Sequence, residues 1–136
     1  MKTIQKFAIT FSVLLYAVVV PILEINETHV FNPDWTPHAK IHEVWQLITN
    51  SSIGLFCLYL LWIKNEINLS ALLSLLVMGG FLVAFFIKDS YGGSMKFLDG
   101  TEKTIMGVNV GLLGFGIAFL LIVITLILGK SKQNAN

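Results

Sequence analysis

The sequence predicts an all-α membrane protein in which residues 1–136 form a single domain, a bundle of four transmembrane helices. Of the 136 residues, 55% are hydrophobic and 12% are charged, and the mean hydropathy is +0.77. These values lie outside the range of soluble globular domains. Four runs, at residues 7–23, 44–63, 69–87 and 105–129, contain no Asp, Glu, Lys, Arg or His. Each can span about 30 Å of hydrocarbon at about 1.5 Å per residue, or nearly so.

The first predicted helix covers about residues 7–23. Lys2 and Lys6 precede it, as they would in a signal peptide, but residues 20–24 offer no cleavage site with small side chains. We therefore expect a helix that remains in the protein. Pro21 cannot donate to the carbonyl of Ala17, so a kink is expected near the end of this helix.

The second predicted helix covers about residues 37–63, because Thr36 can cap its first turn and Pro37 suits its first position. At about 40 Å it exceeds the hydrocarbon thickness, which leaves its first two turns at the level of the lipid headgroups. Using about 100° per residue, one narrow face carries polar groups at its start and becomes apolar further on. Its members, with the flanking Gln46, are His38, His42, Trp45, Gln46, Thr49, Ser52 and Phe56.

This polar face is expected to point into the bundle, because lipid offers hydroxyls and imidazoles no hydrogen-bond partners. The expectation implies a ligand pocket beneath the histidines. The predicted lining is Trp35, Trp45, Gln46, Thr49, Ser52 and Asn109.

The third and fourth helices are predicted at about residues 69–87 and 105–129. The connection at 64–68 is short, so the second and third helices should be antiparallel neighbours. In the fourth helix, Gly107, Gly111 and Gly114 form a stripe of small residues that lets another helix approach closely. That helix could belong to the bundle or to a partner.

Lysine distribution predicts the orientation. The side that holds both termini carries five lysines and one Glu, a formal +4, whereas the other side carries four lysines and seven acidic residues, a formal −3. Because positive residues favour the cytoplasm, both termini are predicted to be cytoplasmic.

The polar connection before the second helix is the candidate site. All three histidines lie between residues 29 and 42, and two glutamates precede them. Imidazole titrates near neutrality, so these groups could exchange protons with the polar end of an apolar ligand that enters from the lipid. The candidate catalytic residues are His29, His38, His42, Glu24 and Glu27.

A divalent metal is the alternative occupant. His38 and His42 are four residues apart on one helical face, a spacing at which two imidazoles can chelate one ion. Glu24, Glu27 and His29 could complete or orient such a site. A net charge of +1 without a basic cluster or a glycine-rich phosphate loop argues against nucleic acid and nucleotide partners.

Residues 26–42 read Asn-x-Thr-His-x-Phe-Asn-Pro-x-Trp-x-Pro-His-Ala-Lys-x-His. This run resembles the signature of a group of small four-helix membrane proteins without assigned function. More loosely, the layout is similar to the DoxX-like proteins, linked to quinone oxidoreduction, and to the EXPERA superfamily of sterol isomerases and lipid-binding proteins. That likeness implies a ligand pocket between helices. The chain departs from the EXPERA pattern because no acid or histidine lies deep within a helix, so no catalytic residues are carried over.

Three functions remain open from the sequence. The first is an enzyme or binding protein for an apolar ligand such as a lipid or quinone. The second is a metal-binding sensor, uptake accessory or metalloenzyme. The third is an accessory subunit that packs against a larger membrane complex through the glycine stripe.

Overall fold

The computed structural model describes residues 2–97 and 99–134. Its helices include four that are long and apolar enough to cross a membrane, which agrees with the predicted all-α class. The four spans are Lys2–Glu24, Pro37–Trp62, Ile67–Ser90 and Val110–Gly129. We use "rim" for the end of the bundle that carries Glu24 and Pro37, opposite the end from which the chain starts.

The helices are α1 (Lys2–Leu14), α2 (Val20–Glu24), α3 (Pro37–Trp62), α4 (Ile67–Ile87) and α5 (Val110–Asn134). A π-helical turn, Leu15–Val19, joins α1 to α2, and a 3₁₀ turn, Lys88–Ser90, follows α4. Two short antiparallel strands, β1 (Thr104–Ile105) and β2 (Val108–Asn109), precede α5.

The last helix begins at Val110, five residues later than the predicted start at residue 105. Asn109 explains the difference, because its Oδ1 accepts a hydrogen bond of 3.1 Å from the Leu112 N–H and so caps the first turn. Before it, Met106 and Gly107 turn the β hairpin with φ of 51° and 79°. The positive φ values suit a tight hairpin turn, in which glycine is favoured.

Pro21 interrupts the backbone hydrogen bonding of the first span. The π-helical turn ends just before this proline, and the Ala17 carbonyl, which Pro21 cannot satisfy, accepts a hydrogen bond of 3.0 Å from the Ser51 hydroxyl. The proline therefore creates a polar link between the first span and α3.

The helices pack as a bundle in which α1 contacts α3, α4 and α5, and α4 also contacts α3 and α5. Side chains from all four spans meet in the centre. The fully buried members include Ile9, Tyr16, Cys57, Leu61, Met78 and Ile122. Dispersion and close packing of these side chains hold the bundle together.

The predicted inward orientation of the polar face of α3 is wrong. The residues that face the bundle are on the opposite side and include Leu47, Gly54 and Cys57. Gly54 allows the Ala17 side chain to approach, and Ser51 bonds to Ala17, so both contacts turn the polar face outward. The exposed residues, which we call the α3 outer face, are His38, His42, Trp45, Gln46, Thr49 and Ser52.

The predicted glycine stripe is used inside the chain. A side chain added at Gly111 would meet Phe81, and one added at Gly114 would meet Leu15. Gly107 lies in the hairpin turn rather than on the helix. Gly111 and Gly114 therefore pack against side chains of the same chain, whereas Gly107 has no atom within 4 Å of an added Cβ, and a partner helix at this stripe stays a prediction.

Candidate functional site at the rim

Residues 25–36 form a compact loop that we call the rim loop. Its backbone folds on itself, with the Val30 N–H donating to the Glu24 carbonyl at 3.2 Å and the Phe31 N–H donating to the Asn26 carbonyl at 2.9 Å. The Thr36 hydroxyl then accepts from the Ala39 N–H at 3.2 Å and caps α3, as the Thr-Pro pair predicts. The loop is thus anchored at both ends by helices.

Two asparagine side chains organise this loop. Asn32 is 2% exposed, donates from Nδ2 to the Thr28 carbonyl at 3.1 Å and accepts at Oδ1 from the Asp34 N–H at 2.9 Å. Asn26 donates to the Leu23 carbonyl and accepts from the Thr28 N–H at 2.7 Å. Short amide side chains satisfy backbone groups that a folded loop would otherwise leave unpaired.

Glu24 and His29 meet within this frame. The Glu24 Oε2 atom lies 2.8 Å from His29 Nε2, and the two side chains are 25% and 30% exposed. On its other side, His29 Nδ1 lies 2.8 Å from the Thr28 hydroxyl. Trp35 contacts the imidazole edge-on, with ring centroids 5.7 Å apart. Carboxylate, hydroxyl and indole together fix the orientation of the ring.

Donor counting sets the direction of these hydrogen bonds. The two backbone contacts of Asn26 require its oxygen to face Thr28, whose hydroxyl donates its single hydrogen to that oxygen at 2.6 Å. The hydroxyl can therefore only accept from His29, which must carry a proton on Nδ1. One further proton then lies in the contact between His29 Nε2 and Glu24 Oε2, on either the carboxyl or the imidazole.

Burial lowers the pKa of His29 below 6.5, because desolvation penalises the imidazolium. The nearby Glu43 carboxylate raises this pKa and the Lys103 ammonium lowers it. Low affinity of the imidazole for a second proton shifts the shared proton toward Glu24. The rim therefore combines a partly buried carboxyl group, an imidazole of fixed orientation and an ordered relay to Thr28.

Glu27, also a candidate catalytic residue, is exposed, and its carboxylate has no hydrogen bond or ion pair to the described part of the chain. Glu27 therefore does not share the contacts of Glu24, even though the two residues are only three positions apart in the sequence. Trp35 is the one predicted pocket residue that contacts an imidazole of the rim loop.

His38 and His42 form a separate group. Their Nε2 atoms are 3.0 Å apart, their rings are almost perpendicular at 84°, and both side chains are exposed. Trp45, which is 65% exposed, lies beside His42 with ring centroids 5.9 Å apart. Among residues 2–97 and 99–134, no group of three or more His, Cys, Asp or Glu side chains is placed to hold a metal ion.

The predicted pocket lining does not form an internal surface. Trp45, Gln46, Thr49 and Ser52 belong to the α3 outer face, and Asn109 is a helix cap whose Nδ2 donates to Glu102 Oε1 at 3.0 Å. An open groove of about 370 Å³ lies instead between α4 and α5, toward the end opposite the rim. Asn68 and apolar side chains such as Leu72 and Leu126 line it, so it lacks acid–base groups.

We call Glu24 and His29, together with the residues that contact this pair or shift the pKa of His29, the rim cluster. Several of its members were not predicted as site residues. Glu43 and Lys103 influence His29 across the fold, from α3 and from the connection that precedes the β hairpin. Asn26 and Thr28 could have been identified, since an Asn two residues before a Thr is typical of a turn in which the amide oxygen bonds back to the backbone. Nothing in the sequence pairs Lys103 with His29.

Comparison with protein-family models, with curated proteins and with solved structures finds no match to this chain. The resemblances of the 26–42 run therefore stay predictions, and the function has to be argued from the rim itself.

Proposed function

We propose that this chain is an integral membrane protein that binds the polar end of an apolar ligand, such as a lipid or quinone, at the rim. Glu24 and His29 exchange a proton with that polar end. The observation that carries the proposal is the order of the hydrogen bonds from Asn26 through Thr28 and His29, which leaves one transferable proton in the contact between His29 and Glu24. Partly buried carboxyl and imidazole groups in contact are suited to general acid–base chemistry.

Access supports the same function. The Glu24 and His29 side chains keep 25% and 30% of their surface exposed, so an incoming oxygen can reach them. Around them, the large apolar residues Ile22, Ile25 and Phe31 are 69%, 54% and 61% exposed. Exposed apolar side chains beside a polar group match a ligand whose body stays in the membrane while its head reaches the rim.

Ligand retention tests the binding. The chain is purified from membranes in mild detergent, and the bound apolar compounds are extracted and identified by mass spectrometry. We expect a compound that the wild type retains and that Glu24→Ala and His29→Ala lose, whereas the matched control Glu27→Ala keeps it because Glu27 is exposed and outside the cluster. Equal retention by all four proteins would contradict the proposal.

The shared proton has its own readout. The infrared spectrum of the wild type minus that of Glu24→Gln should show the C=O band of a protonated carboxylic acid. The glutamine side chain introduced by this substitution cannot give that band, although its amide can still donate to His29 Nε2. The same band in Glu24→Gln, or its loss in Glu27→Gln, would place the proton elsewhere.

A further inference from the structure

The His38–His42 group and the α3 outer face have no role in the rim cluster. His38 and His42 contact each other and Trp45, and below them Gln46, Thr49 and Ser52 point away from the bundle. We propose that His38 and His42 are one half of a site for a divalent transition metal such as Zn²⁺, and that the same two residues of a second copy of this chain complete the site.

The geometry of the two imidazoles carries the first step. Residues four apart on a helix project from the same side, and here the Nε2 atoms of His38 and His42 are 3.0 Å apart. Two nitrogens bound to one tetrahedral Zn²⁺ at about 2.0–2.1 Å lie roughly 3.3 Å apart. A shift of a few tenths of an ångström therefore converts the pair from a hydrogen bond into two metal ligands.

The number of ligands carries the second step. Tetrahedral zinc binds four ligands, and in the described part of the chain no third His, Cys, Asp or Glu side chain joins this pair. Glu24 and His29 are occupied with each other in the rim loop. Two exposed imidazoles from a second chain would supply the missing ligands with the same chemistry.

The orientation of membrane proteins favours a second copy. Two copies inserted in the same direction can be related by a twofold axis along the membrane normal. When that axis runs beside the α3 outer face, it places His38 and His42 of one chain beside the same residues of the next. The exposed hydroxyl and amide groups of Gln46 and Thr49 then also gain partners, whereas lipid would offer them none. Ser52 already donates to the Ile48 carbonyl at 2.8 Å, and its small side chain permits close approach.

Metal titration of the full chain, purified without a polyhistidine tag in detergent micelles, tests the proposal. We expect one Zn²⁺ per two chains, a metal-dependent doubling of the protein mass in light scattering, and the visible absorption of tetrahedral Co²⁺ when Co²⁺ replaces Zn²⁺. His38→Ala and His42→Ala should abolish all three signals. His29→Gln is the matched control and should keep them, since His29 belongs to the rim loop.

A second variant separates a shared site from a site within one chain. Ser52→Trp leaves the imidazole pair intact but blocks close approach along the α3 outer face, so the mass doubling should be lost and Co²⁺ should lose its tetrahedral absorption. One ion per chain without dimer formation, or no binding by a protein whose thermal unfolding is unchanged, would overturn the proposal.

Discussion

The rim loop and the α3 outer face hold their histidines in opposite ways. In the rim loop, the Glu24 carboxyl and the Thr28 hydroxyl orient His29, and asparagine side chains organise the backbone beneath it. On the outer face, His38 and His42 are exposed and bonded to each other. The first arrangement orients its imidazole through side chains of the same loop, whereas the second leaves both imidazoles accessible from outside. Three histidines within fourteen positions are thus held in two different surroundings.

The largest effect should come from Gly54→Leu, which tests the rotation of α3 on which this comparison depends. A Cβ at Gly54 would overlap the Ala17 Cβ and lie 3.2 Å from Val13 Cγ1. Forcing a Leu side chain into this contact separates α3 from the first span, at a cost of about 1–3 kcal/mol or more. Thermal unfolding in detergent measures the loss.

Thr49→Leu is the matched control, because Thr49 is exposed on the outer face. It should change thermal stability by less than about 0.5 kcal/mol. The reverse ranking, a tolerated Leu at Gly54 and a damaging one at Thr49, would mean that the polar face points inward after all.

The difference between the two regions also shows which structural features can be predicted from the sequence. Four charge-free runs predict the spans, and the Thr36-Pro37 pair predicts where α3 begins. The rotation of α3 escapes prediction because Ser51 and Ser52 are both polar, and contacts with Ala17 from Gly54 and Ser51 decide which of the two serines faces the bundle. The start of α5 predicted from the sequence, residue 105, precedes the observed start at Val110, because apolar β-hairpin residues such as Ile105 and Val108 extend the charge-free run.

The sequence identifies Glu24 and His29 as candidate site residues, but it does not show which candidate side chains contact each other. Glu24 and His29 are close in sequence, and an i to i+5 contact across a loop requires the turn that Asn26 and Asn32 build. In the sequence, these two asparagines predict a turn but do not predict which side chains the turn brings together. The influence of Lys103 on His29 depends on how the connection after α4 folds back, which no local pattern specifies.

A smaller and local effect is expected for Asn32→Ala. This buried side chain bonds to the Thr28 carbonyl and the Asp34 N–H, and removing it leaves both without their partner at a cost of about 1 kcal/mol, confined to the rim loop. Hydrogen exchange should accelerate at the rim-loop amides, and the imidazole signals of His29 should shift. The signals of His38 and His42 should not, because they lie on a preformed helix. Changes at all three histidines would show that the two regions are coupled.

The smallest effect concerns pH. Because burial lowers the pKa of His29, the unfolded loop takes up a proton at His29 before the folded loop does as pH falls below 6.5. Stability is therefore complete above 6.5 and declines as the pH falls toward the lower pKa of the folded state. One proton limits the slope to about 1.4 kcal/mol per pH unit, and the 30% exposure of the side chain reduces it further. In the wild type the proton shared with Glu24 masks this loss, because the folded pair already holds it. Thermal unfolding of Glu24→Gln, in which position 24 no longer titrates, should thus weaken between about pH 7 and pH 5 more than that of the double variant Glu24→Gln/His29→Gln. An equal decline in both proteins would assign the pH sensitivity to groups other than His29.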